Sequence, residues 1–217
     1  MLDYFKFELI CALRKKADLL LPIFFFLTIA IIVPFTTHPD SASLQNFAVS
    51  LIWVSLLLTV FLSVGRLFTD DLQDGFADRY KLIPIPEEAI FLVKVLILIL
   101  TRLIPLTFIV PFYGLFYMLS MTDILRIIIM LWISSPALMF FTAFGALLCV
   151  ELKQSGIYIF ILILPLMIPA LIFGAAGCDS AVALSKAIQL PAAFSLFAAL
   201  LCTIFSRPLF HILHAGR

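Results

Sequence analysis

Charge is scarce in this sequence. Only 12% of its 217 residues are Asp, Glu, Lys or Arg, against about 25% in an average soluble domain. With 64% hydrophobic residues and a mean hydropathy of +1.21, no water-soluble fold of this size could hide so much apolar surface. The net charge of +1 gives no sign of a nucleic-acid partner. Cysteine is sparse too. Cys11, Cys149, Cys178 and Cys202 are scattered, with no CxxC and no CxxCH, which excludes a disulfide framework, a zinc ribbon and covalent haem attachment; they read as buried apolar thiols. No glycine precedes a lysine, so there is no GxxxxGK[ST] phosphate loop and no route to ATP hydrolysis by this chain itself. The intramembrane protease signatures fail as well: Gln154-Ser155-Gly156 follows Lys153 rather than the glycine of GxSG, and Leu92 stands four residues after Glu88. The three histidines, His38, His211 and His214, fall in two segments that the charge distribution puts on opposite sides of a membrane. They offer no converging haem or metal ligands. The reading is therefore of a non-enzyme, with no catalytic residue, no directly bound cofactor and no metal.

What is present is hydrocarbon in long runs. A chain of this kind is expected to be an all-α integral membrane protein, because a helix satisfies its own backbone groups in lipid. Residues 1–18 carry Lys6, Arg14, Lys15 and Lys16, with Leu2, Phe5, Leu9 and Leu13 at helical spacing, and read as an interfacial helix. Six transmembrane helices come next, near 19–35, 46–64, 87–119, 124–150, 157–176 and 190–210, as one transmembrane domain over 1–217. Pro105 and Pro111 in the third and Pro165 and Pro169 in the fifth are expected to kink or break their helices. Glu87 and Glu88, directly after Pro86, suit a helix N-terminus. Arg102 lies inside the third span, where an ionised group on a lipid-exposed face costs several kcal/mol; it is expected to snorkel or to face a partner helix. With the N-terminus inside, the inner segments hold Lys6, Arg14, Lys15, Lys16, Arg66, Arg79, Lys81, Lys94, Lys153, Arg207 and Arg217, and the outer ones only Arg126 and Lys186. That asymmetry predicts both termini inside.

The longest polar interval, Arg66 to Pro86, connects the second and third spans on the inner side. Six of the thirteen acidic residues lie between Asp70 and Glu88. As a helix, Asp70, Asp74 and Asp78 share one face, with Asp71 beside them. Phe68, Leu72, Phe76 and Tyr80 lie on roughly the opposite face. Gly75 permits a bend or the close approach of another backbone, and Pro84 and Pro86 end the helix.

These residues carry a resemblance. RLFTDDLQDGFADRYKLIPIP, from Arg66 to Pro86, resembles the signature of the cytochrome c maturation protein B family, also called haem exporter protein B. LKQSGIYIFILILPLMIPALIFGAAG, from Leu152 to Gly177, is similar to a second block of that family, and ELICALRKKADLLLPIFFF near the N-terminus to a third. The sequence departs at Leu21, where the family often has Asn, and at Ser155-Gly156, where it often has a glycine pair. The resemblance implies the multi-pass membrane subunit of an ABC-type transporter in the bacterial inner membrane. A separate ATPase subunit, maturation protein A, would bind from the cytoplasm, and the 66–86 segment, through Asp70, Asp71, Asp74, Gly75 and Asp78, would be the coupling helix. Maturation proteins C and D, the periplasmic haem chaperone E and a second copy of the chain would complete the assembly. Its work would be haem delivery, or the release of haem-loaded chaperone driven by ATP hydrolysis. Two other classes fit the residues alone: the permease of another ABC exporter (lipid, drug or polysaccharide), and a self-sufficient channel or secondary transporter. The scarcity of ionisable groups at mid-membrane disfavours the latter.

The eleven-to-two charge distribution makes a direct prediction. Reporters or single cysteines near Ser43, Thr122 and Ser180 should read outside, and those at Gln73, Gln154 and the C-terminus inside. An inside reading at Ser43 would overturn the span order at its first step.

Overall fold

A chain this apolar has few places to put backbone hydrogen bonds, and it puts them within helices. The computed structural model describes residues 2–36, 41–61, 85–152 and 156–215. Among these there are seven helices and no strand: α1 Leu2–Arg14, α2 Lys16–Thr36, α3 Ser41–Phe61, α4 Glu87–Phe116, α5 Met121–Leu152, α6 Gly156–Gly177 and α7 Leu184–Ala215. Each overlaps a stretch expected to be helical, with shifted ends; α7, for example, begins at Leu184 rather than near residue 190. Among the described residues three stretches are long and apolar enough to cross a membrane: Glu87–Phe116, Met121–Leu148 and Leu184–Phe210. Phe47–Phe61 and Ile161–Gly177 are shorter apolar stretches, and Asp3–Arg14 with Leu19–Phe35 forms a pair bent by 58°.

α5 is the central helix. It packs most extensively along α7 and α6 and then α4, and it also touches α3; α2 pairs with α3 and α4. Its position follows from its side chains. Ile127, Leu131, Leu138, Phe141 and Leu147 are all buried. Polar groups in its middle are satisfied locally or across to a neighbour. The Ser134 hydroxyl donates to the Ala170 carbonyl of α6 at 2.7 Å, and the Ser195 hydroxyl of α7 donates to the Ile133 carbonyl at 2.6 Å. Such interhelical bonds contribute about 0.6 kcal/mol each on average, so they fix register more than they supply stability.

Of the kink or break expected at Pro105, Pro111, Pro165 and Pro169, no break occurs. α4 runs unbroken through the first two and α6 through the other two. A proline removes one N–H from the ladder, but in long, closely packed apolar helices the remaining bonds and the neighbouring helices hold the rod together. The residues four before Pro105 and Pro111 are Thr101 and Thr107. Their hydroxyls bond back along the helix, Thr101 to the Ile97 carbonyl and Thr107 to the Leu103 carbonyl, both at 2.7 Å.

At Gly174 α6 comes against the ring of Trp53 in α3. A Cβ added there would stand 2.3–2.8 Å from three atoms of the indole ring. Trp53 is only 2% exposed and has nowhere to swing. At Gly114 a Cβ would instead meet the end of the flexible Ile124 side chain. Replacing glycine by alanine inside a helix gains about 1 kcal/mol of propensity, whereas overpacking a rigid core costs roughly 1–3 kcal/mol. Gly174→Ala should therefore lower the thermal midpoint of the purified protein clearly more than Gly114→Ala does. Equal midpoints for the two variants would show that the Gly174–Trp53 approach is not a constraint.

Candidate functional site: the ionic junction at the start of α4

α4 begins directly after Pro86, whose extended backbone forms the N-cap and whose carbonyl accepts from the Ala89 N–H at 2.9 Å. Glu87 and Glu88 occupy the first turn, where the partial positive charge of the helix end favours them. Glu88 also reaches another element: its Oε1 lies 3.4 Å from Nε of Arg207, late in α7. Arg207 is 66% exposed, and an exposed pair of this kind contributes under about 1 kcal/mol.

Lys94 is different. It lies two turns further along α4, only 5% exposed, with its Nζ 3.6 Å from Oε2 of Glu8 in α1. The Tyr4 hydroxyl donates to the other carboxylate oxygen of Glu8 at 2.9 Å. Removing one member leaves the other charged among largely apolar neighbours, with the Tyr4 hydrogen bond and a 13% exposed edge remaining to Glu8. Arg102 lies two further turns into α4 and is also buried, at 8% exposure. Of the two expectations for it, facing other helices is the one this burial fits.

α1 is thus held to the bundle by charge as well as by packing. Tyr4 is buried, and Phe5, Leu9 and Ala12 pack on the core. Phe7, Ile10 and Leu13 are exposed on the other side, flanked by exposed Lys6, Arg14, Lys15 and Lys16. Leu13, at helical spacing from Phe5 and Leu9, is one of the exposed residues. Leu13 falls on the exposed side because a helix turns 100° per residue, which carries it away from the row of Phe5, Leu9 and Ala12.

The opposite end of the bundle is tied by hydrogen bonds. Arg126 of α5 donates through Nε to the Gly177 carbonyl at 2.9 Å and through a terminal nitrogen to the Val182 carbonyl at 2.6 Å. Gln45 of α3 donates to the carbonyl of Met118 at 2.7 Å. Met118 sits at φ 52°, the left-handed region. Cys178, just past the end of α6, is buried, and burial pushes its thiol up to about 11, so it stays protonated at neutral pH. Between the two ends the Tyr113 hydroxyl lies 3.1 Å from that of Ser55 and 3.3 Å from the Phe26 carbonyl, joining α4, α3 and α2. Its ring stacks on Tyr117 at 5.4 Å between centroids.

The sequence-predicted site residues Asp70, Asp71, Asp74, Gly75 and Asp78, with the apolar set Phe68, Leu72, Phe76 and Tyr80, lie outside the described residues, as does His38. Description resumes with Ile85, partly buried against the core, then Pro86 and the junction on the first turns of α4. Sequence reasoning missed both ion pairs. The available signal was charge sign at one end of the bundle, with Glu8 and Glu88 opposite Lys94 and Arg207, but partners so distant in the chain cannot be paired from composition. Among the described residues no three His, Cys, Asp or Glu side chains gather as a metal site would require.

An all-helical bundle with long apolar helices and an ionic junction at one end defines a helical membrane protein. The profile of the family described as CcmB protein matches residues 1–215, and the chain belongs to that family. It is similar to "Heme exporter protein B" of Paracoccus denitrificans, 34% identical over 184 residues, covering 82% of this chain and 84% of that one. It is likewise 34% identical to the protein of that name from Escherichia coli K12 over 177 residues, 82% and 80% of the two chains. For the Bradyrhizobium diazoefficiens protein of the same name the identity is 34% over 189 residues, 87% and 84%.

Proposed function

We propose that this chain is the membrane subunit of the haem export system that serves c-type cytochrome maturation. The observation that carries the reading is the family match over residues 1–215, together with curated relatives named for haem export that align along most of both chains. In this reading six helices span the bacterial inner membrane with both termini in the cytoplasm, and α1 lies at the cytoplasmic surface. The chain is a transporter component rather than an enzyme. The absence of a phosphate loop supports placing ATP hydrolysis in a separate subunit, maturation protein A. Maturation proteins C and D, the haem chaperone E and a second copy of this chain are its further partners, and haem is handled by those partners rather than bound here.

The segment 66–86 is the contact through which the ATPase acts. Asp70, Asp74 and Asp78, with Asp71 beside them, face the ATPase. Phe68, Leu72, Phe76 and Tyr80 turn towards the membrane domain or the lipid headgroups, and Gly75 allows the bend. ATP hydrolysis is thereby coupled to haem delivery or to release of the haem-loaded chaperone. The support for this is the acidic spacing itself and the position of the segment, which ends where the junction on α4 begins.

A single Asp→Asn change at an exposed pair removes only about 0.2–1 kcal/mol, whereas like charges facing each other across an interface cost several kcal/mol. The double variant Asp70→Lys/Asp74→Lys should therefore reach the membrane at normal levels, lose the ATPase on co-purification and leave c-type cytochromes immature. Retention of both the ATPase and cytochrome formation would show that this face is not the docking surface.

A further inference from the structure

We propose that Glu8 and Lys94 are a positioning pair that locks α1 to the first turns of α4, so that the two move as one lever when the segment before α4 is displaced. The inference rests on the proposed function for what drives the lever, but the lock itself rests on geometry. Lys94 is 5% exposed and Glu8 is largely buried with it. Lys94 is the more deeply buried of the two, with Glu8 keeping a 13% exposed edge, so parting the pair takes a carboxylate away from a buried cation. Tyr4 donates to the second oxygen of Glu8 and fixes the direction in which the carboxylate points. α4 starts at Glu87, immediately after the segment ends at Pro86, and Lys94 lies about 10 Å further along the helix axis. A push delivered at Pro86 therefore reaches Lys94 through a continuous rod, and α1 through the ion pair.

Two further features give the lever its direction. α1 leads into α2 through a 58° bend, so a shift of α1 is passed to the next helix of the bundle. The second tie on the same turns, Glu88 to Arg207, is exposed and opens cheaply. On these turns the buried tie runs to α1 and the exposed one to α7, so the α1 side is the one that a displacement must carry with it.

The test uses the full chain in bilayer nanodiscs of phosphatidylethanolamine and phosphatidylglycerol, with the four native cysteines replaced. Spin labels are placed at Leu13→Cys in α1 and Leu92→Cys in α4, both exposed positions. The parent chain should give one narrow distance distribution. Glu8→Gln and Lys94→Met should each broaden it, and the exchange Glu8→Lys/Lys94→Glu should narrow it again. In cells, the two single variants should keep their membrane level and their ATPase, yet lower c-type cytochrome formation at least about tenfold, with most of it returning in the exchange. A broad distribution in the parent, a narrow one in the single variants, or an exchange that restores neither readout overturns the lock. Single variants that mature cytochromes normally, or that lose the ATPase or the protein itself, overturn its role in transmission. If the parent binds no ATPase at all, the proposed function fails, while the distance measurements still decide the lock.

Discussion

Every backbone polar group in an apolar medium must find its partner inside the protein, and the character of the bundle derives from that constraint. Side-chain hydroxyls on the helices are drawn into the same economy of donors and acceptors. Thr28, Ser55, Thr101, Thr107, Ser135 and Thr142 each donate to the carbonyl four residues back on their own helix. A hydroxyl bonded this way shows an apolar outer surface to its neighbours, so helices can pack face to face without stranding a donor. The four prolines in α4 and α6 leave those helices continuous, held by the remaining backbone bonds and the neighbouring helices.

Against that background the interhelical polar contacts define the assembly. Ser134 and Ser195 fix α5 against α6 and α7 at mid-bundle, Trp132 donates to Thr107 between α5 and α4, and Tyr113 joins α4 to α2 and α3. These are single hydrogen bonds of modest strength. The Glu8–Lys94 and Glu88–Arg207 pairs lie towards the helix ends, and of the two it is Glu8–Lys94 that is buried. Its energetic asymmetry is what separates it from the other. A surface pair can part at small cost, but parting this one takes the Glu8 carboxylate away from a buried Lys94. The junction is therefore where a small displacement at Pro86 would have the largest consequence.

The course of the helices was legible in the sequence because hydrocarbon runs and their polar gaps are a one-dimensional signal; α4 starts at Glu87, where Pro86 and the two acids place a helix N-terminus. Pro105, Pro111, Pro165 and Pro169 do not break their helices, because packed apolar neighbours keep the remaining backbone bonds in place. The ion pairs could not be read at all. Glu8 meets Lys94, and Glu88 meets Arg207, through the packing of helices distant in the chain, and no local pattern carries that information. The acidic face from Asp70 to Asp78 lies outside the described residues and is a reading of the sequence.

The central claim is that this subunit works with an ATPase it does not itself contain, in the service of haem delivery. Affinity purification of the chain from its native membrane, with identification of the proteins that accompany it, tests this most directly. The account predicts an ATPase without membrane spans together with at least one haem-handling protein. A chain that comes through alone, or with an ATPase and only lipid- or polysaccharide-handling partners, would contradict it.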